Sequence, residues 1–182
     1  WNETKECMSR DEMTNLQSAR LRKLVDRVDH SVEYYRKKMQ AVGLEPGDIR
    51  GIEDLERLPF TTKDDLRDTY PFGMFAVPNS QITRIHASSG TTGKSTVVGY
   101  TRKDIDVWRE CVARCITMAG LGSNDIIQVA YGYGLFTGGL GAHYGAEEMG
   151  ATVVPMSTGN TKKLVTMMVD FGVTGIMCTP SY

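Results

Sequence analysis

Residues 82–101 read ITRIHASSGTTGKSTVVGYT, centred on Ser88-Ser89-Gly90-Thr91-Thr92-Gly93-Lys94-Ser95-Thr96. Eight of these nine central residues are Gly, Ser or Thr, and the other is Lys94. Glycine lets a backbone turn sharply and bring its N–H groups close to a ligand, and several such groups together make a concave anion site. The hydroxyls add donors, and Lys94 adds a compact positive charge suited to phosphate. The stretch therefore reads as a loop that holds polyphosphate. A flexible Ser/Thr/Gly linker is the competing reading, but a linker is not usually bracketed by strands. Here Ile82-Thr83-Arg84-Ile85-His86 precedes the loop and Thr96-Val97-Val98-Gly99-Tyr100-Thr101 follows it, both rich in β-formers. The same bracketing excludes a Walker A loop. That motif needs Gly five residues before Gly93, where this chain has Ser88, and it opens a helix rather than a strand.

Beyond the loop the pattern is that of an α/β protein. Thr101-Arg102-Lys103-Asp104 is a helix-start signal, and Ile105, Trp108, Val112, Cys115/Ile116 and Ala119 form a helical stripe that Gly120 ends. Ile126 to Tyr131 reads as a buried strand. Gly132-Tyr133-Gly134-Leu135-Phe136-Thr137-Gly138 then leads into a helix. The spacing G-x-G-x-x-x-G is not that of a dinucleotide turn, and the next strand, residues 151–156, ends without an acidic residue for a ribose. What remains is an aromatic, glycine-lined turn at the C-terminal end of a strand, where open α/β sheets bind ligands. Tyr133 and Phe136 are suited to wall an aryl pocket against Gly132, Gly134 and Gly138, which leave room for a ring. Simple packing is the plainer reading, with Gly138, Gly141, Ala142 and Gly145 letting the helix sit close on the sheet. His143 and Glu147, four apart, read as structural rather than as an acid/base pair or half a metal site. A strand at Val153-Val154-Pro155, a helix from Asn160 to Phe171 and a strand from Val173 to Cys178 complete a β-α-β-α-β order. That order implies parallel strands with right-handed crossovers.

Upstream of the loop the chain is helical. Ser9-Arg10-Asp11-Glu12 is a capping box, and Leu21, Leu24, Val25, Val28, Val32, Tyr35 and Met39 recur at helical spacing, with a break expected at Asp29-His30-Ser31. Arg20, Arg22, Lys23, Arg27, Arg36, Lys37 and Lys38 occupy the other face. They read as a solvated face, with a binding patch for phosphate groups as the sharper alternative. Ile52-Glu53-Asp54-Leu55 reads as a short helix, and Thr62-x-x-Asp65 caps another in whose first turn Lys63 falls.

The whole sequence has 182 residues, is 41% hydrophobic and 24% charged, and carries a formal net charge of -1. These values fit a soluble globular protein and give no basic excess for nucleic acid. No apolar run is long enough to span a bilayer, and the first residues lack the apolar segment of a signal peptide. Cys7, Cys111, Cys115 and Cys178 are scattered and read as reduced, buried thiols in a cytoplasmic protein.

Ser88 to Lys94 resembles the phosphate loop of the adenylate-forming enzymes, the acyl-CoA synthetase superfamily, which also lies between two strands. Three further segments narrow the resemblance to the phenylacetate–CoA ligase family: Leu58-Pro59-Phe60-Thr61-Thr62-Lys63-Asp64-Asp65-Leu66-Arg67, Tyr70-Pro71-Phe72-Gly73, and Gly132 to Gly139. The likeness runs over nearly the whole chain. One departure is Ser95, where many relatives have Pro; it removes no phosphate donor.

The resemblance implies an AMP-forming ligase of phenylacetate catabolism that uses ATP, Mg²⁺ and CoA. The acid's carboxylate attacks the α-phosphate of ATP, and the CoA thiol then attacks the acyl-adenylate. No general base is needed, because the carboxylate is already ionised. The implied phosphate-binding residues are Ser88, Ser89, Gly90, Thr91, Thr92, Gly93 and Lys94. The implied acid pocket includes Tyr133, Gly134, Phe136 and Gly138. The family's adenine, ribose and metal motifs and its catalytic Lys have no counterpart here. The expectation is therefore an N-terminal fragment, inactive alone, with a helical segment over 1–79 and an incomplete α/β portion of the AMP-binding large domain over 80–182. Implied partners are a small aryl acid, ATP and CoA, with no nucleic acid or membrane; a homodimer is compatible. Two other readings stand beside it: an adenylyltransferase of the coenzyme F390 synthetase type, and a non-catalytic α/β binding module.

Overall fold

The Ser9 capping box starts the first long helix. A computed structural model describes residues 1–89 and 93–180. In it the Ser9 N–H donates to Glu12 Oε2 at 2.9 Å and the Glu12 N–H donates to Ser9 Oγ at 3.2 Å. After a single turn, α1 (Glu3–Glu6), helix α2 runs Arg10–Ser31 and α3 runs Glu33–Ala41. The break falls at Val32, one residue past the expected Asp29–Ser31. Val32 takes an extended conformation (φ -126, ψ 102) and is 1% exposed. Burial of its β-branched side chain favours extended backbone there. Arg36 reaches back from α3 and donates through Nη1 to the Asp29 carbonyl at 3.0 Å, satisfying one of the carbonyls left open at the end of α2.

The chain divides into two compact units, one of residues 2–82 with 90–99 and one of 83–89 with 100–182 and Trp1. The first is built on α2, α3, 3₁₀ turns at Pro46–Asp48, Ile52–Arg57 and Asn79–Gln81, and α4 (Lys63–Asp68). Leu21, Val25, Met39, Leu44 and Ile49 are its core, with Ile52 and Leu58 packed against them. The basic face of α2 and α3 is partly engaged within this unit. Arg22 donates to the Arg50 carbonyl at 2.6 Å, Lys37 pairs with Glu33, and Lys38 pairs with Asp65 at 2.9 Å.

In the second unit β3 (Ile126–Val129) lies between β4 (Thr152–Val154) and β5 (Gly175–Met177), parallel to both. In register, Ile127 faces Val153 on one side and Gly175 on the other. Helices α5 (Arg102–Met118), α6 (Gly138–Glu148) and α7 (Thr161–Asp170) supply the connections. The β3-α6-β4-α7-β5 order is the one expected from the sequence, each strand being shorter than its apolar run. The core is Ala113, Ile116, Ile127, Ala146, Met149 and Ala151. Gly120 and Gly150 follow α5 and α6 with φ of +94 and +87, as helix-ending glycines do.

Two expectations need correction. The small face of α6 accommodates α5: a Cβ on Gly141 would lie 2.5 Å from the Trp108 ring, and one on Gly145 would lie 2.3 Å from Val112 Cγ1 and 3.2 Å from the Ala113 backbone nitrogen. Small residues permit this close helix crossing. The cysteines are free, as expected, but not buried: Cys7, Cys111 and Cys115 are exposed and Cys178 is partly so. The buried stripe of α5 runs through Ile105, Ala113 and Ile116, leaving Cys111 and Cys115 on the other side.

Gly145→Ala is expected to destabilise the full-length protein by about 2 kcal/mol, because Val112 Cβ and the α5 backbone cannot both yield. Thermal unfolding measures it; an unchanged midpoint would show that the two helices separate freely.

Candidate functional site

The predicted phosphate loop is entered from β1 (Arg84–Ala87) and left through β2 (Val97–Tyr100), and no helix begins at Ser95. Beside the two strands, the Thr83 N–H donates to the Tyr100 carbonyl at 2.8 Å. Gly90, Thr91 and Thr92 lie outside the described residues. Gly93 has φ +133, a conformation that favours glycine, and no atom lies within 4 Å of the position a Cβ would take. A substitution there is opposed by the backbone rather than by space. Lys94 is exposed, and its Nζ stands 5.8 Å from the centroid of the Tyr70 ring.

The Tyr70-Pro71-Phe72-Gly73 segment packs against the loop's exit. Phe72 and Phe75 have ring centroids 5.1 Å apart. Gly99 lies so close to Phe75 that a Cβ would come within 2.6 Å of its ring. Of the neighbouring motif, Thr62 and Asp65 form the expected capping box at the head of α4. Asp65 Oδ2 also receives Lys38 Nζ, and the Lys38, Tyr34 and Thr62 hydrogen bonds hold its carboxyl far below the usual carboxylate range. This segment is thus locked to α3 by a charged bond.

The aromatic turn follows β3 at the C-terminal end of the sheet. Gly139, at the start of α6, folds back onto Gly132, where a Cβ would come within 2.5 Å of the Gly132 carbonyl oxygen. The four residues expected to form the acid pocket are not all alike in placement. Gly134 borders open space, with nothing within 4 Å of a built Cβ. Phe136 is 69% exposed and lies over Gly138, whose Cβ would be 3.4 Å from its ring. Tyr133 turns instead to α6. Its ring meets His143 edge-on at 5.8 Å, and its hydroxyl lies 3.2 Å from His143 Nδ1.

His143 Nε2 is 3.0 Å from Glu147 Oε1. A carboxylate only accepts, so Nε2 carries a hydrogen toward Glu147, while Nδ1 shares a hydrogen bond with the Tyr133 hydroxyl. Burial, with the Glu147 charge behind it, pushes the Tyr133 phenol up to about 12. Tyr133 is therefore a neutral hydroxyl held in one orientation. Spacing alone paired His143 with Glu147, but Tyr133 joins them only because the turn folds over α6, which no local pattern signals.

The turn is tied to β1 as well. The Leu135 carbonyl accepts from the Ala87 N–H at 3.0 Å and from His86 Nδ1 at 2.8 Å. His86 is 2% exposed and meets Tyr100 and Trp108 edge-on, each at 5.6 Å. Sequence pattern gave His86 no role. Among the described residues no group of three or more His, Cys, Asp or Glu is placed to hold a metal ion, and no helix is long and apolar enough to cross a membrane.

The fold is shared with solved CoA ligases. A structure of 2-hydroxyisobutyryl-CoA ligase with 2-HIB-AMP and CoA, in its thioesterification state, superposes with a TM-score of 0.89 at 32% identity, over 96% of this chain and 39% of that one. An open conformation of that ligase gives 0.88 at 30% identity, over 96% and 42%. Among curated proteins, phenylacetate–coenzyme A ligase of Aromatoleum evansii is 56% identical over 174 residues, 96% of this chain. Those of Escherichia coli (strain K12) and Thermus thermophilus are 56% and 52% identical over 97% of it. No family model matches the sequence. The chain has the fold of adenylate-forming CoA ligases. Within them it belongs to the phenylacetate–CoA ligase family. It spans about 40% of the length of these curated relatives.

Proposed function

We propose that the chain is the N-terminal part of an AMP-forming aryl-acid–CoA ligase that converts phenylacetate, ATP and CoA to phenylacetyl-CoA, AMP and pyrophosphate. The observation that carries this reading is 56% identity to curated phenylacetate–CoA ligases along 96% of the chain. In this reading residues 80–182 are part of the AMP-binding large domain, and the reaction runs in the cytoplasm, where ATP and CoA are available. Ser88, Ser89, Gly90, Thr91, Thr92, Gly93 and Lys94 hold the β- and γ-phosphates so that the α-phosphate faces the acid in line. Tyr133, Gly134, Phe136 and Gly138 border the aryl group. Mg²⁺ enters with ATP; its protein ligands are not assigned to this chain, and no step is routed through it.

The test is to assay the full-length protein with phenylacetate, ATP, Mg²⁺ and CoA. AMP and phenylacetyl-CoA in equal amounts are expected. Pyrophosphate release with no CoA consumed would replace the ligase by an adenylyltransferase, and no turnover at all would leave a binding module.

Substrate choice gives a second measurement. Phe136→Ala is expected to raise KM for phenylacetate about tenfold while changing KM for acetate little, because a ring in van der Waals contact distinguishes the two acids. Phe136 is largely exposed, so its truncation tests recognition rather than stability. Equal effects on both acids would assign it to packing.

A further inference from the structure

We infer that His86 is a positioning residue that fixes the acid-binding turn to the strand entering the phosphate loop; this rests on the ligase reading above. A carbonyl only accepts, so the 2.8 Å contact with Leu135 requires the hydrogen on His86 Nδ1. The neighbouring Ala87 N–H donates to the same oxygen at 3.0 Å. Two donors from adjacent residues of β1 thus converge on one carbonyl in the middle of the turn, between Tyr133 and Phe136. Ser88, the first residue of the phosphate loop, follows immediately.

The imidazole is an unusual choice for a purely apolar contact. It is 2% exposed, and its Nε2 is buried with no hydrogen-bond partner among the described residues. Leaving a ring nitrogen unpartnered is unfavourable. An aliphatic or aromatic residue would fill the space beside the stacked Tyr100 and Trp108 rings without that cost. What the histidine adds is the Nδ1 donor. Its ring is locked edge-on against Tyr100 and Trp108, and those two rings stack at 5.2 Å. The donor therefore points in one direction only. The backbone N–H of Ala87 sets the register of the turn, and His86 sets the plane of the Leu135–Phe136 peptide. Phe136 has little packing of its own to hold it, being 69% exposed. Its direction follows from that peptide plane. His86 touches neither acid nor nucleotide in this scheme.

Three substitutions in the full-length protein separate positioning from packing. His86→Asn keeps an N–H near the Nδ1 position. His86→Gln moves its amide toward the Nε2 position, and His86→Phe keeps the ring without a donor. The inference predicts that Phe and Gln raise KM for phenylacetate about fivefold, the effect of one lost hydrogen bond, with KM for ATP within about twofold. Asn is expected to recover most of the loss. A packing role predicts the opposite order, with Phe best and Asn worst. The inference is overturned if Asn is no better than Phe, if the KM values for acid and ATP rise together, or if all three variants fail to fold. A wild-type protein that makes no phenylacetyl-CoA would instead remove the ligase reading. Nitrogen-15 NMR of the wild-type imidazole then still decides the anchor: an Nδ1–H tautomer is expected, and an Nε2–H tautomer overturns it.

Discussion

On the proposed ligase reading, replacing Lys94 by Ala in the full-length protein is expected to lower kcat/KM for ATP about a hundredfold in pyrophosphate release, the usual size for loss of one preorganised charge stabiliser. Lys94 is exposed, and its ammonium rests over the Tyr70 ring at 5.8 Å. An exposed cation–π contact is worth only about 1 kcal/mol. An incoming triphosphate, with its much higher charge, displaces that contact easily. On the proposed reading, so weak a contact leaves the ammonium available to the nucleotide's phosphates. Because the side chain is exposed, Lys94→Ala should unfold at the wild-type temperature. Lys94→Arg keeps the charge and should retain more activity than Ala, but not all of it, since a planar fork replaces a compact ammonium. Pyrophosphate release by Lys94→Ala within twofold of wild type would remove Lys94 from the phosphate site.

The sequence made the elements legible wherever a local signal specified them. Ser9, Thr62 and Thr101 each head a helix with a reciprocal capping box, and all three were readable from spacing alone. Gly120 marked a helix end because only glycine takes a positive φ without cost. The strand-like run at Thr96–Thr101 separated this loop from a Walker loop. Contacts made at long range were not legible. The break at Val32 is set by where a side chain finds its core. The target of the small α6 face depends on α5 lying across it, since period tells that a face is small but not what it meets. His86 and Leu135 are 49 residues apart and linked by one hydrogen bond. A single histidine in a strand carries no pattern that announces such a bond. The candidate site was therefore readable as two separate loops, while the link between β1 and the aromatic turn was not.

The 182-residue chain expressed by itself is expected to release no pyrophosphate above a Lys94→Ala control and to self-associate. Its sheet has three described strands in the order β4-β3-β5, so β4 and β5 each lie at an edge. Ile176 on β5 is 41% exposed, and on and beside α7 so are Val165 (52%), Val169 (76%) and Phe171 (49%). Exposed apolar side chains and open strand edges favour association with another chain. The same chain spans about 40% of its curated relatives. On the proposed reading, acyl adenylation depends on holding ATP and acid at near-attack distance, and residues 88–94 would fix only one end of the nucleotide. Misplacement by about 1 Å already costs on the order of a hundredfold in rate. Contacts from an exposed loop to a phosphate are also screened by salt. Light scattering should report a mass above that of the monomer, and ATP binding should be weak and fall with ionic strength. Turnover with ATP, Mg²⁺ and phenylacetate well above the Lys94→Ala control would show that these residues hold a complete site. A monodisperse monomer would show that the exposed α7 and β5 surface needs no covering.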